Sequence, residues 1–128
     1  MKRFTLIAIL LIGCFDAIQA PITAEWFAPP KEYRLWFGET EQCSGLHRPP
    51  HYFDVLWFYK VPGPSNFVTS DGKNADGQWM APHNIYIAEY VLNDERVVKH
   101  EILHDLIANG GGNGNPSHDR VEWRKCNI

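Results

Sequence analysis

The sequence predicts a small α+β domain, and two features of its patterning carry that prediction. Residues 52–91 hold several short runs of aromatic and β-branched residues separated by Pro and Gly turns, which is typical of short strands. Residues 93–109 repeat apolar side chains at helical spacing, which predicts one amphipathic helix. With 128 residues, 45% of them hydrophobic, and no internal repeat, the chain is expected to form one domain.

The sequence patterns that predict the remaining elements are weaker. We expect extended segments at 33–37, 52–61, 67–69, 79–80 and 84–91, a helical turn within 38–46 and another within 121–125. The helix at 93–109 is the best supported element. Asn93 is a suitable N-cap residue, and Gly110 to Gly112 should end the helix because most other residues resist such conformations.

The first residues are typical of export. Lys2 and Arg3 precede an apolar run, Phe4 to Ile12, that is too short to span a bilayer as a helix. The segment that ends at Cys14, Leu-Ile-Gly-Cys, resembles the lipobox of bacterial lipoproteins. That resemblance implies lipidation of Cys14 and a membrane anchor.

This interpretation divides the chain into three parts. We expect a lipoprotein-type signal peptide at 1–13, a tether and lead-in at 14–32, and the folded domain at 33–128. Cleavage after Ala20 is the alternative, although Pro21 would then follow the cut. Either way, the protein is expected in the bacterial cell envelope, anchored in a membrane or periplasmic.

The three cysteines fit the same compartment. If Cys14 carries lipid, Cys43 and Cys126 remain, and an oxidising envelope would favour a disulfide between them. Two separate buried thiols are the alternative. A cysteine-rich metal site is not expected because the chain has no C-x-x-C spacing. The net charge of −3 and the scattered Lys and Arg residues argue against nucleic acid as a partner. We expect a monomer.

The chemistry centres on the string His100-Glu101-Ile102-Leu103-His104. On a helix, the two histidines project from one face and can bind one metal ion. Glu101 lies about 100° round the helix. From there it can take a proton from a water molecule that the metal activates. The alternative is that these residues form the solvated face of an amphipathic helix.

A catalytic zinc ion commonly has three protein ligands and one open position. His118 is the expected third ligand, because the Gly-rich loop before it can turn the chain back toward the helix. Asp119 is the alternative, and Glu122 is weaker. The other histidines, at 47, 51 and 83, have no helical partner and are expected to be structural or exposed.

The string from His100 to His104 resembles the zincin superfamily of metallopeptidases, whose active-site helix carries H-E-x-x-H. Residues 97–126 also resemble small bacterial envelope proteins that are predicted to be metallopeptidases. The resemblance implies one zinc ion, Glu101 as general base, and a short, mainly antiparallel sheet packed against the active-site helix. It also implies a peptide or protein substrate that pairs with a strand beside that helix, for which 84–91 is the candidate.

The sequence departs from the known subgroups of zincins. Only a loose, Gly-rich stretch separates His104 from His118, and no long second helix with a ligating Glu follows. Two other functions therefore stay open. One is an envelope lipoprotein that binds zinc without catalysis, although such a protein has no need of Glu101. The other is an adaptor that binds another protein and no metal.

Overall fold

The computed structural model describes residues 20–21 and 23–128. It confirms a small α+β domain. The strands are β1 (Glu25–Trp26), β2 (Trp57–Val61), β3 (Phe67–Val68), β4 (Asn74–Ala75), β5 (Gly77–Met80) and β6 (Asn84–Ala88). The helices are α1 (Lys31–Ser44), α2 (Glu95–Ala108) and α3 (Val121–Cys126), with 3-10 turns at Tyr52–Val55 and Glu89–Val91.

The predicted signal peptide and the lipidation of Cys14 lie outside the described residues. Within the described part of the chain, no helix combines the length and the apolar character that crossing a bilayer requires.

Four strands form one mixed sheet in the order β1-β2-β6-β5. β2 and β6 are parallel, whereas β1 and β5 run antiparallel to their neighbours. β3 and β4 form a separate two-stranded antiparallel hairpin. β6 is thus an inner strand, and β5 is an edge of the sheet.

The core lies between one face of the sheet and the two long helices. Phe58, Ile85 and Ile87 point inward from the sheet, and all are almost fully buried. Tyr33 from α1 packs against Phe58 with ring centroids 5.1 Å apart, and its hydroxyl donates to Leu92 O at 2.6 Å. The helices α1 and α2 also pack against each other, so α2 is held by both the sheet and α1.

The prediction of an extended segment at 33–37 is wrong, because these residues lie in α1. Their aromatic content is typical of strands. The buried positions Tyr33, Phe37, Thr40 and Ser44 nevertheless repeat at helical spacing and face the core. Packing of this stripe against the sheet therefore outweighs the strand preference of the individual residues.

The folded part also begins earlier than residue 33. β1, within the expected lead-in, pairs with β2 through Trp26 and Tyr59, and α1 begins at Lys31. The helix cap is corrected by one residue: Asp94 caps α2, and its side chain accepts from the backbone N–H groups of Arg96 and Val97. The helical turn expected within 121–125 is confirmed as α3.

The Cys43–Cys126 disulfide is confirmed, with a sequence separation of 83 residues. It joins the last turn of α1 to the end of α3. Because α3 is only six residues long, it has little intrinsic stability as a helix. The disulfide is therefore the covalent link that keeps α3 beside the two-helix layer.

We predict that Cys43→Ser and Cys126→Ser each lower the free energy of unfolding by ~2–5 kcal/mol, because the open chain gains conformational freedom when unfolded. Urea titration followed by tryptophan fluorescence measures this. The double variant should lose no more than either single variant, since all three lack the same bond. An unfolding midpoint equal to that of the wild type in all variants would contradict the prediction.

Candidate metal centre

Two of the candidate ligands lie on one face of α2. His100 and His104 are one helical turn apart, and their ring centroids are 5.0 Å apart. After the histidines the helix ends at Ala108. Its C-cap Asn109 is left-handed with φ 47°, and Gly110 follows with φ 77°. The chain then reverses and returns along the same face of the helix.

This return brings His118 to the two helical histidines. Its Nε2 atom lies 3.1 Å from Nε2 of His100 and 3.1 Å from Nε2 of His104. The three histidines form a group that could hold a metal ion, with one nitrogen from each ring. In a tetrahedral site with metal–nitrogen bonds of about 2.0–2.1 Å, two ligand nitrogens are ~3.3 Å apart. The observed separations are close to that value.

Hydrogen bonding does not explain this arrangement well. Each imidazole nitrogen has one in-plane position, which carries either a proton or a lone pair. Nε2 of His118 meets two other Nε2 atoms at once and cannot donate to one while accepting from the other. A cation among three lone pairs resolves the conflict, so the donor set fits a metal ion.

The protonation state of His104 supports the same conclusion. Its Nδ1 lies 2.6 Å from Gly114 O, a carbonyl that can only accept, so Nδ1 carries the proton. Nε2 then presents its lone pair to the other two histidines, which is the tautomer that metal binding requires.

Burial keeps the helical histidines neutral. Desolvation lowers the pKa of His100 and of His104 to about 4. The neighbouring histidines contribute to the lowering at His100, whereas the Gly114 carbonyl partly opposes it at His104. Both rings are therefore neutral at pH 7 and can act as ligands.

The third ligand depends on Asn115, which the sequence analysis missed. Its Oδ1 accepts from Trp123 Nε1 at 2.9 Å and from Arg120 N at 3.2 Å. Its Nδ2 donates to Asp119 Oδ1 at 2.7 Å. Asn115 and His118 both have positive φ, 58° and 54°, which asparagine tolerates better than most residues. One asparagine side chain thus fixes the loop that carries His118.

Trp123 of α3 contacts all three histidines. Its ring centroid lies 4.8 Å from His100, 4.6 Å from His104 and 4.6 Å from His118. The tryptophan is only 5% exposed. It provides the apolar surroundings of the histidine group, and the sequence analysis did not identify it because nothing local distinguishes it from a core residue.

Glu101 lies on the same helix and is 5% exposed. Burial raises its pKa to about 8, and a hydrogen bond from the backbone N–H of Trp79 opposes that rise. Gly77 on β5 allows this close approach: a Cβ atom there would lie 2.8 Å from Cγ of Glu101. The glycine is therefore required by the carboxyl group that faces it.

The alternative ligands are engaged elsewhere. Asp119 is exposed and bonded to Asn115, which lowers its pKa. Glu122 pairs with Arg120 at 2.7 Å, which lowers its pKa. His83 lies 3.1 Å from the buried carboxyl group of Asp105. Among the described residues, only the three histidines at positions 100, 104 and 118 converge on one point as possible metal ligands.

No family model, curated protein or solved structure matched the chain in our comparisons.

We predict that Asn115→Ala lowers the affinity for a divalent ion such as Co²⁺ by about 10-fold to 100-fold, because loss of an outer partner typically has that effect. Competition with a chromophoric chelator measures the affinity. Asn74→Ala, at an exposed asparagine of β4, is the control and should leave the affinity unchanged. Equal affinities in all three proteins would show that Asn115 does not organise the site.

Proposed function

We propose that this chain is a zinc-dependent metallopeptidase, with His100, His104 and His118 as zinc ligands and Glu101 as general base. The observation that carries the proposal is the joint placement of three converging imidazoles and one buried carboxyl group on and around α2. The resemblance of residues 100–104 to the zincin helix supports it independently of the geometry.

Zinc is the proposed metal because of the donor set. Neutral imidazoles suit zinc, and three protein ligands with one open position are typical of catalytic zinc sites. The pairing of Nδ1 of His104 with a backbone carbonyl is also the usual way in which a zinc-binding histidine is oriented. Exposed oxygen ligands, which Mg²⁺ and Ca²⁺ prefer, do not contribute to this group.

The protein's contribution to catalysis follows from Glu101. When bound, a zinc ion makes water a nucleophile at neutral pH and polarises the scissile carbonyl group. Glu101 would accept the proton of that water and pass it to the leaving amine. Its burial raises its basicity, since desolvation disfavours the charged form. A carboxyl group with a pKa near the working pH suits such a proton shuttle.

The substrate-binding strand expected from the sequence, 84–91, is replaced by another strand in this proposal. The segment 84–91 forms β6 and then a 3-10 turn, and β6 is paired on both sides. The edge strand that packs against α2 is β5. The backbone N–H of Ala88 donates to Asp76 O. Because hydrogen-bonded and non-hydrogen-bonded pairs alternate along an antiparallel ladder, the backbone N–H and C=O groups of Gly77 and Trp79 point away from β6. Because the Glu101 side chain lies directly beside Gly77 of β5, we propose that an extended peptide binds along this edge, beside the general base.

We also propose export to the bacterial cell envelope, with a lipid anchor on Cys14. The disulfide between Cys43 and Cys126 supports the oxidising compartment, because such bonds rarely persist in the cytosol.

A zinc-binding protein without catalysis is the second candidate, and one observation favours it. The Trp123 ring lies close to all three histidines and could cover the fourth position of a bound ion. Water and substrate would then have no access to the metal.

The test compares the wild type, Glu101→Gln and the control Glu32→Gln, which changes an exposed glutamate in the first turn of α1. We expect one zinc ion per chain in all three by elemental analysis. Cleavage of an unbiased peptide library should occur with the wild type and Glu32→Gln and be lost in Glu101→Gln, which keeps the shape but not the proton acceptor.

Zinc in all three proteins with cleavage in none would favour the non-catalytic candidate. Absence of zinc from metal-replete wild-type protein would overturn both.

A further inference from the structure

Asp105, next to His104 on α2, is a fully buried carboxyl group with three hydrogen-bond partners. Tyr52 OH donates to Oδ1 at 2.8 Å, and Trp79 Nε1 donates to Oδ2 at 2.9 Å. Nδ1 of His83 lies 3.1 Å from Oδ2. The partners come from a 3-10 turn, from β5 and from the β5–β6 turn. Asp105 thus ties the helix of the metal centre to three preceding segments.

The three partners differ in how tightly they constrain the geometry. A tyrosine hydroxyl can donate or accept, and a histidine nitrogen changes role with its tautomer. The indole of Trp79 can only donate, and from one fixed direction. The bond from Trp79 to Asp105 therefore sets the orientation of the indole ring, whereas the other two bonds can adapt.

That ring is in contact with the metal centre. The indole of Trp79 lies nearly parallel to the His104 imidazole, at an interplanar angle of 22° with centroids 6.5 Å apart. It also packs on Gly114, where a Cβ atom would lie 2.8 Å from the indole. Gly114 carries the carbonyl group that binds Nδ1 of His104. Trp79 thus supports His104 directly and through its hydrogen-bond partner.

A rotation of the Trp79 indole would therefore displace the ring beside His104 and the support of Gly114 together.

We propose that Trp79, oriented by Asp105, is the positioning residue that holds the His104 imidazole in its place and tautomer. Its catalytic consequence rests on the proposed function, whereas its effect on His104 does not. Asp105 acts through Trp79 and contacts neither metal nor substrate in this assignment.

The test compares Trp79→Phe with Tyr52→Phe. Each variant removes one hydrogen bond to Asp105, but only the first alters the ring beside His104. Asp105→Asn gives the rescue control, since its amide oxygen can still accept from Trp79 while its amide nitrogen faces Tyr52 or His83. Asp105→Ala removes every bond.

Three readouts are taken on the full chain. In metal-free protein, ¹⁵N NMR should show His104 in the single Nδ1–H tautomer in the wild type, Tyr52→Phe and Asp105→Asn. In Trp79→Phe and Asp105→Ala, both tautomers should be present. Zinc affinity should fall by about 10-fold to 100-fold in these last two alone. In the same two variants, kcat for a cleaved peptide should decrease by a larger factor than KM changes.

A wild-type tautomer and wild-type zinc affinity in Trp79→Phe would overturn the inference. So would equal losses in Trp79→Phe and Tyr52→Phe, because a general loss of stability would then suffice. If the wild type cleaves no peptide, the proposed peptidase activity fails, but the tautomer of His104 still decides whether Trp79 positions that ring.

Discussion

The central constraint in this molecule is that Nε2 of His118 lies 3.1 Å from Nε2 of both His100 and His104 in a partly buried space. Without a cation, three lone pairs face each other and two of the rings have lost much of their hydration. Such an arrangement is unfavourable on its own and persists only if the surrounding structure enforces it. Much of the fold serves to hold the three imidazoles together.

Two parts of the structure hold the histidines in place. On one side, α2 is fixed against α1 and the sheet, and the buried Asp105 ties it to the edge strand β5. On the other side, the loop that carries His118 adopts left-handed conformations at three of its residues, Gly114, Asn115 and His118. Asn115 and Trp123 stabilise that loop, and the disulfide holds the helix from which Trp123 projects. A small domain thus supports the histidine group with little additional structure.

The sequence predicted the parts that depend on local spacing. The helix of α2, the pair His100 and His104, and the Cys43–Cys126 disulfide follow from periodicity, from the four-residue interval and from cysteine pairing. His118 was predicted from the Gly-rich reversal alone, and the structure brings it to the other two histidines. These inferences needed no knowledge of the sheet.

The missed features depend on contacts between distant segments. The segment 33–37 of α1 was predicted as extended because aromatic residues favour strands, and only the core shows why its helical stripe prevails. That β5 rather than β6 is the edge strand beside α2 follows only from the strand order, which strand patterns do not contain. Asn115, Trp79 and Asp105 act through partners far away in sequence or through loop conformation.

The most direct test of the central claim is zinc K-edge X-ray absorption on the zinc-loaded full chain, beside His118→Ala. The account predicts three imidazole nitrogens and one further light atom at about 2.0–2.1 Å in the wild type. It predicts one imidazole fewer in the variant. A wild-type site with two imidazoles, or a coordination shell that His118→Ala leaves unchanged, would contradict it.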